Sequence, residues 1–114
     1  MQEPENAQTR NNMYKDTGIK EKVIEEIRAL AKEYGLKRVV LFGSRARGDY
    51  KERSDIDIAF QGGSAPGFEI SVDEETSTLL KFDFVNLDRP VSPELLDSIN
   101  KEGIIIYEQE TGEF

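Results

Sequence analysis

Residues Gly43–Phe60, GSRARGDYKERSDIDIAF, carry the pattern from which the architecture of this chain is predicted. This stretch follows an apolar run, Leu36–Phe42 (LKRVVLF), which predicts a buried strand that stops at a glycine-serine turn. The end of the stretch, DIDIAF, alternates between the two faces of a second predicted strand. Asp55 and Asp57 then share one face, roughly 6 to 7 Å apart along the strand, close enough to share divalent cations.

Upstream of this stretch, apolar residues at three- and four-residue steps predict an amphipathic helix over Ile19–Tyr34. Thr17 or Asp16 can cap its start, and Gly35 stands where a left-handed residue suits a helix end. Residues 1–15 are polar and lack apolar periodicity, so we expect a flexible leader.

Downstream, residues 61–67 (QGGSAPG) predict a loop by composition, and residues 68–78 support a short helix or an extended arm equally well. Leu79–Leu87 (LLKFDFVNL) predicts a third strand, apolar enough to be covered on both faces. A serine-proline start at Ser92 predicts a helix to about Lys101, since serine is a favoured cap and proline fits the first turn.

Gly103 is expected to end that helix, and Ile104–Tyr107 predicts a last strand. The order helix, strand, strand, strand, helix, strand predicts an α/β (α+β) fold, a small mixed sheet of about four strands packed against helices. The 114 residues suit a single domain, expected over residues 16–110 with a short tail at 111–114.

Composition excludes several kinds of protein. The chain has no cysteine and no histidine, so it cannot form disulfides, a Cys/His zinc site, a Ser-His-Asp triad or a thiolate nucleophile. Its apolar runs are too short to span a membrane, and MQEPENAQTRNN lacks the profile of a secretory signal, so we expect a cytoplasmic protein.

Charge is unevenly distributed along the chain. The net charge of −8 disfavours non-specific binding to nucleic acid or to an anionic membrane surface. Six cations and two anions lie in residues 37–53, a local +4 that leaves −12 for the remainder. Such a stretch suits a small polyanion, although a solvated charged loop would give the same count.

A third carboxylate, Asp83, lies inside the predicted third strand. If that strand pairs beside the second, Asp83 can join Asp55 and Asp57, and the three charges would raise one another's pKa unless a cation sits among them. Oxygen ligands with room for water and phosphate select Mg²⁺. A strand aspartate that bonds backbone amides is the alternative for Asp83.

The Gly43-Ser44 turn suits a phosphate group, because glycine lets the backbone approach closely and the serine hydroxyl can donate. Arg45 and Arg47 can neutralise phosphate charge or form surface ion pairs, with Lys51 and Arg53 nearby as further cations. Together with bound metal, these residues suit nucleotidyl transfer, in which a hydroxyl attacks the α-phosphorus of a triphosphate and pyrophosphate leaves.

GSRARGDYKERSDIDIAF, with the aspartate of LKFDFVNLD, resembles the minimal nucleotidyltransferases (MNT) of the DNA polymerase β-like superfamily. The resemblance covers about residues 19–107. It implies that Gly43 and Ser44 hold the triphosphate of ATP, that Asp55 and Asp57 bind metal, and that Asp83 completes a site for two Mg²⁺ ions and can serve as general base.

Members of that family are antitoxins encoded beside HEPN ribonuclease toxins, and they adenylylate a tyrosine of the partner. The resemblance therefore implies a HEPN-type toxin and ATP as partners, in a homo- or hetero-oligomer. Relatives often have a clear helix at the position of residues 61–79, where GGSAPG is expected to break it. Two alternatives stay open: an antitoxin that acts by binding alone, and transfer to a small hydroxyl compound, which the lack of an acceptor domain disfavours.

Overall fold

The computed structural model describes residues 16–110, so the predicted leader and tail lie outside the described residues. The helices and strands alternate along the chain much as the sequence predicts. In chain order they are α1 (Glu21–Glu33), β1 (Arg38–Phe42), α2 (Gly43–Arg47), β2 (Ile56–Gln61), α3 (Ala65–Glu75), β3 (Phe82–Asn86), α4 (Pro93–Glu102) and β4 (Ile104–Glu108).

The four strands form one mixed sheet in the order β3-β2-β1-β4, which confirms the predicted fold class. β1 pairs antiparallel with both β2 and β4, whereas β2 and β3 are parallel. Parallel neighbours need a crossover connection, and α3 provides it. This parallel pair carries the predicted carboxylates.

Apolar side chains fill both faces of the sheet. On one face α1 and α3 pack over alternate strand residues, and Ile24, Ile27 and Phe68 are fully buried there. On the other face α4 covers Val40, Phe42 and Ala59 through Ile99. Since both faces are covered, the central strands β1 and β2 are almost continuously apolar.

The ends of two helices test the predicted capping residues. Gly35 follows α1 with φ +71°, as predicted for a left-handed helix end. The predicted caps at the start are wrong, because Lys20 holds the N-cap position and the Thr17 hydroxyl accepts a hydrogen bond from the Ile19 amide in the preceding turn. Ser92 does cap α4, accepting a hydrogen bond from the Leu95 amide at 3.2 Å.

The predicted loop at 61–67 is wrong at its end, because α3 begins at Ala65 and GGSAPG does not break the helix. Pro66 lies in the first turn, where a missing amide hydrogen costs no helical hydrogen bond. Gly67 lies against the Tyr34 ring, and a Cβ there would be 2.6 Å from a ring carbon. Of the two conformations open to residues 68–78, the structure therefore adopts the helix as far as Glu75.

The third strand is shorter and more exposed than predicted. β3 spans Phe82–Asn86, and its residues are half-buried or exposed rather than covered on both faces. The reason is its position at the edge of the sheet, where no strand of residues 16–110 pairs with its outer side. Across residues 16–110, no helix has both the length and the apolar character that crossing a bilayer requires.

Candidate active site

The three predicted carboxylates lie at one end of the parallel strand pair. Asp57 is the second residue of β2 and Asp83 the second residue of β3, and the strand register places them directly opposite each other. Asp55 immediately precedes β2 and is two residues from Asp57, so the two share a face. The pairing on which the role of Asp83 depended is therefore present.

Burial differs among the three carboxylates. Asp57 is half-buried, whereas Asp55, just before β2, and Asp83, on the edge strand β3, are exposed. Burial is the largest cause that raises the pKa of Asp57 from its ordinary value of 3.8 to about 6, and the charges of Asp83 and Asp55 contribute to the same rise. The carboxylates thus repel one another, as the sequence predicts for an anionic cluster without a cation.

The three carboxylates are not arranged as a complete metal-binding site. Within the described part of the chain, no three acidic side chains are arranged as ligands of one ion. All three side chains nonetheless offer hard oxygen donors, the kind of ligand that Mg²⁺ prefers.

Gly43 brings the glycine-serine turn against this cluster. Its φ of +77° is a conformation that favours glycine, and a Cβ built on it would lie 2.9 Å from Cγ of Asp57 and collide with the carboxylate oxygen. Ser44, the next residue, is half-buried in the short helix α2. The predicted Gly-Ser turn and the predicted carboxylate pair are therefore in contact through Gly43 and Asp57.

Arg47 is exposed at the end of α2 and lies near the carboxylates. Its guanidinium forms ion pairs with Asp49 at 3.2 Å and Glu102 at 3.1 Å. Its charge also lowers the pKa of Asp57, against the larger effect of burial. Because exposed ion pairs contribute little stability, this side chain can exchange them for a phosphate at small cost.

Arg45 has a different environment from the one predicted. The side chain is only 2% exposed, and its guanidinium donates to the carbonyl oxygens of Thr17, Glu52 and Ser54 at 2.9 to 3.0 Å. It also lies over the Tyr50 ring, 4.6 Å from the centroid. A phosphate contact would require Arg45 to leave these buried partners, so we do not retain it as a nucleotide ligand.

Sequence reasoning did not predict this cluster around Arg45. Thr17 lies 28 residues earlier in the chain, and carbonyl acceptors carry no sequence signature. Tyr50 was the available signal, since an aromatic residue within a basic stretch can stack on an arginine. The cluster links the loop before β2, which leads to Asp55, to the turn that precedes α1.

Comparison with known proteins defines the class. Residues 25–112 match the family described as polymerase beta, nucleotidyltransferase, and this match includes the Gly-Ser turn and all three aspartates. The chain belongs to this family of nucleotidyltransferases.

A protein of Methanocaldococcus jannaschii, provisionally named a protein adenylyltransferase, is similar in sequence. It is 46% identical over 68 residues, which cover 57% of this chain and 66% of the relative. The match therefore spans slightly less than two thirds of that protein's length.

Solved structures share the fold. A chain of the toxin-antitoxin MntA-HpeT mutant superposes with a TM-score of 0.60 at 19% identity, covering 76% of this chain and 74% of that one. A chain of a toxin-antitoxin with AMP-PNP gives 0.60 at 22% identity with the same coverage. A provisionally assigned nucleotidyltransferase from Sulfolobus solfataricus gives 0.50 at 23% identity, covering 95% and 91%. At these identities the likeness establishes the fold.

Proposed function

We propose that this nucleotidyltransferase transfers AMP from ATP to a hydroxyl, a tyrosine in particular, of a HEPN-type partner toxin, and so acts as a cytoplasmic antitoxin. The observation that carries the proposal is the pairing of Asp57 with Asp83 beside Gly43. It joins a carboxylate cluster to the turn that the sequence predicts for triphosphate binding. The M. jannaschii relative, by its name, acts on proteins, and two structural neighbours are toxin-antitoxin assemblies.

In this proposal Asp55, Asp57 and Asp83 hold Mg²⁺. The bound ions would neutralise triphosphate charge and stabilise the attacking and leaving oxygens. The half-buried position of Asp57 keeps water from competing fully for its carboxylate, and the exposed positions of Asp55 and Asp83 leave them open to substrate.

The other residues bind and orient the two substrates. Gly43 has no side chain to block a phosphate, and the Ser44 hydroxyl donates to a phosphate oxygen. Arg47 neutralises remaining negative charge after releasing its exposed ion pairs. Asp83, exposed on the edge strand, accepts the proton of the acceptor hydroxyl as that oxygen attacks the α-phosphorus and pyrophosphate leaves.

The test is intact-mass analysis of the toxin after incubation with this protein and Mg·ATP. We expect the toxin to gain one or more AMP units, and Asp57→Asn to abolish the gain. Asp73→Asn, an exposed aspartate on α3, is the matched control and should retain full transfer. Neutralisation of the toxin with no mass change would instead indicate an antitoxin that acts by binding alone, and AMP found only on an added aminoglycoside would indicate a small-molecule enzyme.

A further inference from the structure

A leucine is presented to solvent beside the candidate active site. Leu79 precedes β3 and is 102% exposed, more than the other large apolar side chains of residues 16–110. The segment that carries it is held in place, because the amide and hydroxyl of Ser77 donate to the Glu26 carboxylate at 2.7 and 2.6 Å. The leucine is therefore displayed from a position anchored to α1.

Leu79 also lines a groove that reaches the carboxylates. The groove has a volume of about 640 Å³, and its lining consists of Arg53, Asp55, Leu79, Leu80 and Lys81. The lining carries two cations, Arg53 and Lys81, and one anion, Asp55, in a chain with a net charge of −8. Asp55 belongs both to this groove and to the carboxylate cluster, so a molecule seated in the groove lies next to the reacting groups.

We propose that this groove, named here the Leu79 groove, binds the segment of the acceptor protein that carries the hydroxyl, and that the segment is acidic and apolar in character. The inference rests on the proposed function. Acidic side chains would face Arg53 and Lys81, and an apolar side chain would cover Leu79 and Leu80. Burial of an exposed leucine by a partner is favourable, whereas a triphosphate gains nothing from it.

The same assignment explains how a small domain selects its acceptor. The Gly-Ser turn contacts Asp57, whereas the Leu79 groove contains Asp55 and the residues that lead into β3. The nucleotide, at the Gly-Ser turn, and the acceptor, in the Leu79 groove, would thus reach the carboxylates from different sides. Because the chain as a whole carries a net charge of −8, the attraction of an acidic segment to Arg53 and Lys81 favours the groove over the acidic parts of the chain.

The experiment measures fluorescence anisotropy of two short labelled peptides. Both contain one tyrosine and one leucine, and they differ only in carrying glutamates or lysines at the remaining charged positions. We expect the acidic peptide to bind at least about tenfold more tightly than the basic one, and Lys81→Glu or Leu79→Asp to remove about tenfold of that affinity. Lys32→Glu on α1 changes the net charge equally outside the groove and should alter binding by less than about twofold.

In the peptide assay, three results would overturn the inference: no binding of the acidic peptide, equal affinity for the two peptides, or competitive displacement of the acidic peptide by ATP, which would make the groove a nucleotide site. AMP transfer to the toxin that is insensitive to Lys81→Glu and Leu79→Asp would reject the groove and leave the proposed function standing. Peptide binding as expected, with no AMP transferred to the toxin, would support the groove and reject the proposed function.

Discussion

Asp57 and Asp83 are paired neighbours on the parallel strands β2 and β3, and the charge of Asp83 helps to raise the pKa of Asp57. Two like charges at one register position are unfavourable in an isolated sheet. Without a bound cation, the pairing of Asp57 with Asp83 therefore lowers the free energy of unfolding, and the decrease can be measured.

The first prediction concerns pH. The pKa of Asp57 in the folded protein, about 6, lies above its ordinary value of 3.8, so the folded state holds this proton more tightly than the unfolded state. The protonated Asp57 carboxyl therefore makes its full contribution to the free energy of unfolding below about pH 4, and this contribution is lost as the pH rises through 6. Because Asp57 is only half-buried, we expect a loss of about 1 to 2 kcal/mol, measured by urea unfolding from pH 4 to 7 without divalent ions.

Asp57→Asn should remove this loss and make the protein at least as stable as the parent at pH 7 in the presence of a chelator. Asp73→Asn serves as the control and should leave the pH dependence unchanged. Equal pH profiles for the parent and Asp57→Asn would contradict the assignment of the raised pKa to Asp57.

The second prediction separates two reasons for glycine at position 43: its positive φ and its close approach to the Asp57 carboxylate. Gly43→Ala introduces a Cβ that collides with the Asp57 carboxylate, in addition to the penalty of a positive φ. Gly35→Ala is the matched control, because its φ of +71° is similar and, apart from its chain neighbours, no atom of residues 16–110 lies within 4 Å of the new Cβ. We expect Gly35→Ala to cost about 1 kcal/mol in thermal unfolding, and Gly43→Ala to cost more and also to abolish nucleotidyl transfer.

The third prediction tests the hydroxyl of Ser44. If this hydroxyl donates to a charged phosphate oxygen, Ser44→Ala should weaken Mg·ATP binding by roughly 1.5 to 3 kcal/mol in calorimetry. Binding of AMP is the internal control and should be nearly unchanged. Equal losses for ATP and AMP would move Ser44 away from the β- and γ-phosphates.

The fourth prediction concerns the buried guanidinium. Arg45→Met removes the three buried hydrogen bonds that the guanidinium donates to the carbonyls of Thr17, Glu52 and Ser54, so we expect the free energy of unfolding to fall by at least about 2 kcal/mol in urea titrations. Arg89→Met, at an exposed position, is the control and should change stability by less than about 0.5 kcal/mol. A stable Arg45→Met protein that has lost only ATP affinity would restore Arg45 as a phosphate ligand.

Much of the fold can be predicted from the sequence because the clearest hydrophobic patterns belong to the two central strands, β1 and β2. The alternation of DIDIAF sets the face that Asp55 and Asp57 share, and burial on both sides of β1 explains its unbroken apolar run. Pairing of Asp57 with Asp83 followed once the third strand lay beside the second.

The errors have physical causes as well. The apolar content of LLKFDFVNL reveals neither that β3 is an edge strand nor that the strand begins only at Phe82, which leaves Leu79 outside it and exposed. The start of α3 was hidden because Pro66 and Gly67 usually mark loops, yet here the proline fits the first turn and Phe68 anchors the helix in the core. Neither predicted role of Arg45, a phosphate contact or a surface ion pair, matches its buried position. The sequence alone does not distinguish an arginine that binds carbonyl oxygens from one that binds phosphate.

The cluster around Arg45 also affects local unfolding. The Arg45 guanidinium donates hydrogen bonds to carbonyl oxygens in the turn before α1 and in the loop before β2, so these two segments cannot separate from the sheet independently. Their backbone amides should therefore exchange hydrogen with solvent as one cooperative unit, at a free energy well above that of an ordinary surface loop. Any fluctuation that disorders Asp55 then also loosens the start of the first helix.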